Sequence, residues 1–67
     1  MFNLDDYVNL LRKQYNTSSF NVDVRLGWCY GQKDSFRILY HLDIISIGDY
    51  DYLCELVDYF ISKCGGN

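Results

Sequence analysis

The sequence predicts an α+β fold in the order α-β-β-α: an antiparallel β-hairpin covered on one face by two helices. Three observations predict it. From Phe20 to Tyr30 every even position is apolar (Phe20, Val22, Val24, Leu26, Trp28, Tyr30), and from Phe36 to Ile44 the even positions are apolar again (Phe36, Ile38, Tyr40, Leu42, Ile44). Side chains alternate faces along a strand, so each run presents one apolar face. Between the runs, Gly31-Gln32-Lys33-Asp34 carries turn residues, and so short a link demands an antiparallel hairpin. On either side of this pair stand segments with helical spacing.

The first helix is expected from Leu4 to Tyr15. Asn3 is placed to cap it, because its side-chain oxygen can accept from free donors of the first turn. Asp5 and Asp6 fall at the positive end of the helix dipole, and Arg12 and Lys13 at the negative end. Leu4, Tyr7, Val8, Leu11 and Tyr15 form one apolar stripe. Asn16-Thr17-Ser18-Ser19 reads as a loop.

The hairpin register must keep even residues opposite even residues, or one apolar face would meet water. Setting Arg25 across from Asp43 is electrostatically better than setting Asp23 there. The opposite face would carry Cys29, Arg37, His41 and Asp43 toward solvent. Both strands are edges, and an uncovered edge invites pairing with a second chain, so the sequence predicts a homodimer formed by sheet extension.

The second helix is expected to start within Ser46–Asp49, with Ser46 and Asp49 both candidate caps. It runs to Lys63 or Cys64 on a stripe of Leu53, Leu56, Val57, Phe60, Ile61 and Cys64, and Gly65 and Gly66 end it as C-cap glycines.

Composition bounds the function. Sixty-seven residues allow one domain, residues 1–67. Seven Tyr, four Phe and one Trp supply a large core for that length. The net charge is −3, and the six Lys and Arg are scattered rather than clustered, which argues against direct nucleic-acid binding. The acidic start lacks the basic, apolar pattern of a signal peptide, and no apolar run reaches a membrane span. The expectation is a soluble protein of the cytoplasm, with no membrane contact. Three cysteines without a CxxC pair and one histidine make neither a disulfide scaffold nor a zinc site, so no metal or cofactor is expected.

Catalytic constellations are nominal. Cys29, His41 and Asp43 would share the outer hairpin face, but an open sheet cannot exclude water or hold an oxyanion. Gly48-Asp49-Tyr50-Asp51 lacks the spacing of a calcium loop. The reading is therefore a protein that is not an enzyme. A stronger pattern lies on the second helix, where Asp51, Glu55 and Asp58 follow at i, i+4 and i+7, edged by Tyr52 and Tyr59. With Asp49 these residues form the candidate partner-binding surface. Carboxylates at helical spacing can present a basic protein with the charge of a nucleic-acid backbone, while the tyrosines supply contact area.

The opening Phe2-Asn3-Leu4-Asp5-Asp6-Tyr7-Val8-Asn9-Leu10-Leu11-Arg12-Lys13, followed by strands and a last acidic helix, is similar in layout to some anti-CRISPR proteins of type II systems. More broadly, the chain resembles the small inhibitors and host-takeover factors encoded by bacteriophages. The likeness is one of size, charge and element order, and it transfers no residue roles. It implies inhibition, in the host cytoplasm, of a nuclease or its guide-loaded complex by occlusion. The alternative expectation is a self-associating structural or regulatory adaptor joined through its strands.

Overall fold

The computed structural model describes residues 2–17 and 21–66, and these form three helices: α1 (Leu4–Thr17), α2 (Val22–His41) and α3 (Ile47–Gly66). No strand occurs among the described residues. The fold is all-α, and the expected α+β hairpin is overturned. Ser18, Ser19 and Phe20, assigned above to a loop and a strand start, lie outside the described residues, as does Asn67, which the sequence reads as a short tail.

The correction is confined to the middle of the chain. Residues 22–41 are one continuous helix that passes straight through the supposed turn at Gly31–Asp34. Its start is signalled locally: the Asn21 side chain accepts from the backbone N–H groups of Asp23 (2.7 Å) and Val24 (3.3 Å). The residues that turn inward are Cys29 and Phe36, with Trp28, Leu39 and Tyr40 packed beside them, and they recur at helical intervals. Cys29 and Phe36 are fully buried, although Cys29 was expected on a solvent-facing strand surface. Conversely Val22, Val24, Tyr30, Ile38, Leu42 and Ile44, all assigned to the buried even face, are exposed. A two-stranded ribbon leaves its outer backbone groups unpaired, whereas a helix satisfies them within itself. That difference favours the helix despite the β-branched and aromatic content of the segment.

The α2–α3 connection is an αα-hairpin, so the two helices are antiparallel neighbours. α2 closes in a Schellman motif: Ile44 N–H donates to the Leu39 carbonyl and Asp43 N–H to that of Tyr40, both at 3.0 Å. Asp43 takes the left-handed conformation this motif requires, at φ 60°. Ser46 then caps α3 by accepting from Asp49 N–H at 3.1 Å, which decides between the two candidate caps. Ile45, just before that cap, is buried in the position of a hydrophobic staple. At its far end α3 runs through Gly66, and no described glycine has positive φ, so Gly65 and Gly66 are helical residues rather than a left-handed cap.

α1 forms where the sequence places it, with one further half-turn. Asn3 Oδ1 accepts from Asp6 N–H at 3.0 Å, and Val8, Leu11 and Tyr15 are buried. The core joins these to Phe36 of α2 and Leu53, Leu56, Val57 and Phe60 of α3. One end is aromatic: Tyr15 stacks on Phe60 with centroids 4.3 Å apart, and Trp28 lies 6.3 Å from both. The Arg25 guanidinium sits over the Tyr15 ring, 5.1 Å from its centroid. No helix of the described residues is long and apolar enough to cross a membrane.

Candidate functional site

α3 divides the residues singled out by the sequence between two sides. Tyr52, Glu55, Leu56 and Tyr59 share one face at i, i+3, i+4 and i+7, and Arg12 of α1 stands opposite them. Together they line an open groove of about 400 Å³. Its floor is held by Leu56, which is part of the core, and its rims by the exposed rings of Tyr52 and Tyr59. Glu55 is exposed between those rings.

Asp58 is on the other side. Lys33 of α2 donates to its carboxylate at 2.7 Å, and this hydrogen bond raises the Lys33 pKa. Lys63 lies over the Tyr59 ring, 5.4 Å from its centroid. The acidic stripe is thus answered at Asp58 by a lysine from α2. Asp51 is exposed outside the groove lining, and Asp49 sits in the first turn of α3, held by the Ser46 cap. Of the six residues expected to bind a partner, three (Tyr52, Glu55, Tyr59) come together in the groove.

Arg12 and Leu56 are groove residues that the sequence assigned elsewhere, Arg12 to the dipole of the first helix and Leu56 to the core. Arg12 follows Leu11 and lies four residues after Val8, so it stands at the edge of the buried stripe. That edge position was the available signal.

The supposed Cys29–His41–Asp43 constellation is dispersed. Cys29 and His41 are twelve residues apart on α2, about 18 Å along the axis. Cys29 is wholly buried, and burial, with Cys64 nearby, raises its thiol pKa. His41 is exposed in the last turn and Asp43 belongs to the α2–α3 connection. All three cysteines are free, and no group of His, Cys, Asp or Glu among the described residues could hold a metal.

Near the groove, Tyr15 Oη and Cys64 Sγ share a hydrogen bond at 3.5 Å, and that bond together with burial raises the Tyr15 pKa. The contact ties α1 to the last turns of α3. The lining itself offers two phenol rings, one carboxylate, one guanidinium and an apolar floor. Such a set can clamp a protruding cationic or aromatic side chain by stacking and by charge-assisted hydrogen bonds.

The chain matches no protein-family model, and comparison with curated proteins and with solved structures finds no match either.

Proposed function

We propose that this protein is a non-enzymatic binding inhibitor that docks a protein partner in the α1–α3 groove and blocks it by occlusion. The observation that carries the reading is the placing of Tyr52 and Tyr59, both half-exposed, on either side of Glu55 above an apolar floor. Rigid aromatic side chains at the centre of a contact supply most of its affinity, often more than about 2 kcal/mol each. Glu55 would select an arginine or lysine of the partner, and Arg12 an acidic group beside it.

The partner class follows from the same set. A basic nucleic-acid enzyme, such as a host nuclease or a guide-loaded CRISPR effector, presents arginines that otherwise hold phosphates. Lys33 on Asp58 and Lys63 on Tyr59 reduce the backbone-mimicking character of α3. Recognition would therefore rest on the tyrosines first and on charge second.

The test is inhibition of purified guide-loaded nucleases, with binding measured in parallel. Tyr52→Ala and Tyr59→Ala should each weaken binding about 30-fold, the equivalent of ~2 kcal/mol. Glu55→Lys should weaken it further at low salt. A partner bound equally well by a variant carrying all three substitutions, with helicity intact, would overturn the proposal.

A further inference from the structure

The outward face of α2 carries apolar side chains that the core does not use. Val24, Ile38 and Leu42 are 53%, 58% and 64% exposed. Gly27, Gly31 and Ser35 lie between them and are exposed as well. The six recur at three- and four-residue intervals, so they share one helix face. None is charged. The charged residues of α2 stand at other positions, where Lys33 pairs with Asp58 and Asp34 with Arg37 at 3.0 Å. The 20-residue helix makes this row about 30 Å long. An uncharged row that sets small residues between exposed apolar side chains suits a helix–helix contact.

We propose that this face is a homodimer interface, occupied by α2 of a second copy running antiparallel. Two features select a second copy over an unrelated protein. The first is the symmetry of the row about Gly31: Val24 and Ile38 lie seven residues on either side of it, and Gly27 and Ser35 four. A two-fold axis at Gly31 sets Val24 of each copy against Ile38 of the other, and Gly27 against Ser35. An isologous interface requires such self-complementarity.

The second feature is the polar groups at the two ends of α2. Asp23 stands in the first turn of α2 and His41 in the last. Antiparallel pairing brings Asp23 of each copy alongside His41 of the other and opposes the two helix dipoles. The glycines fit this arrangement. A Cβ at Gly27 or Gly31 would meet nothing within 4 Å in the monomer, so the protein's own core does not demand glycine there. Close approach of a second backbone does.

One helix face buries less than the roughly 800 Å² per partner of a standard interface, so association depends on concentration in the micromolar to millimolar range. The α1–α3 groove contains no α2 residue and remains open in the dimer. Self-association by this route replaces the strand pairing that the sequence suggested, and it does not rest on the inhibitor reading.

Sedimentation equilibrium of the full chain tests the proposal. The expected result is a mass rising from the 7.9 kDa monomer toward twice that value with concentration. Gly31→Lys and Ile38→Lys should both remain helical by circular dichroism and stay monomeric. Under mild oxidation Gly31→Cys should cross-link to itself far faster than a Leu10→Cys control on α1. If either lysine variant fails to fold, the cross-linking comparison decides. A wild-type chain that stays monomeric at millimolar concentration overturns the proposal. So does a dimer that survives both lysine substitutions, or cross-linking no faster at Gly31 than at Leu10.

Discussion

α1 and α2 solve the same packing problem with different economy. α1 keeps its inward apolar residues on one stripe and, apart from Leu10, leaves a polar outer face. α2 buries only Cys29 and Phe36 completely, while Val22, Val24, Tyr30 and Ile38 stand in water. The comparison teaches that burial, rather than hydrophobicity, distinguishes the two faces of α2. One helix carries both a core-facing stripe and a second apolar row.

The largest effects should separate those faces. Phe36→Ala removes a fully buried ring and should cost about 3–5 kcal/mol. The chain as a whole is expected to have only roughly 3–10 kcal/mol of stability at its length, so this variant should be largely unfolded in a urea titration followed by circular dichroism. Leu11→Ala, the equivalent deletion on α1, should cost about 2–5 kcal/mol. Ile38→Ala, two residues from Phe36 on the same helix, should stay within about 0.5 kcal/mol of wild type when measured on dilute monomer. Equal losses at Phe36 and Ile38 would break the comparison.

Alkaline pH should loosen α1 and α2 together. Among the described residues four groups have raised pKa values: Tyr7 by burial, Tyr15 by its Cys64 hydrogen bond and burial, Cys29 by burial and Cys64, and Lys33 by its Asp58 hydrogen bond. Each holds its proton more tightly in the folded state. Each contribution is complete below the unfolded value and is lost as pH rises through the folded one. The ordinary values are 9.0 for Cys, 10.0 for Tyr and 10.5 for Lys. As far as these four groups decide it, stability should be level through neutral pH and fall from about pH 9 upward, which urea midpoints at successive pH values would reveal. A midpoint that rises between pH 9 and 11 would contradict the sign.

Smaller changes sharpen the account of how α2 begins, continues and ends. Asn21→Ala removes the cap of α2 and Ser46→Ala that of α3, and each should cost about 1 kcal/mol. Gly27→Ala should stabilise by about 0.8–1 kcal/mol, since alanine is the better helix former and its methyl meets no neighbour. Asp43→Gly should add about 0.5 kcal/mol, because glycine takes the left-handed conformation without a Cβ penalty but gives up more chain entropy. Thermal melts at low protein concentration resolve changes of this size. Destabilisation by Gly27→Ala would count against a continuous α2.

α1 was legible because its Asn3 cap, the acidic residues of its first turn and its apolar spacing point one way, although the helix runs on to Thr17 and leaves Arg12 and Lys13 short of its last turn. α3 was legible for the same reason, apart from its final glycines. α2 was not, because most of its apolar residues fall on even positions and so mimic strand alternation. Val22, Val24, Leu26 and Trp28 sit on even positions, yet they point around a helix in several directions. The available helix signal was Asn21 as a cap with Asp23 in the first turn, which the strand reading did not use. In the groove, Tyr52, Glu55 and Tyr59 were legible as one helix face. Arg12 was not, because it comes from another element, and neither was the capture of Asp58 by Lys33, 25 residues away.

By itself the sequence determined the two outer helices, the Asn3 cap of the first and the apolar stripes that both bury. Local hydrogen bonds and the spacing of apolar residues act within a turn or two, so they can be read along the chain. Only the tertiary structure decided the state of the middle segment, the burial of Cys29 and the meeting of Arg12 with Tyr52 and Tyr59. Those outcomes depend on which face of one helix finds another. The backbone of residues 22–41 can satisfy itself as a helix whatever its side chains prefer, and packing of Phe36 against α1 and α3 then chooses which of the two apolar rows goes inside.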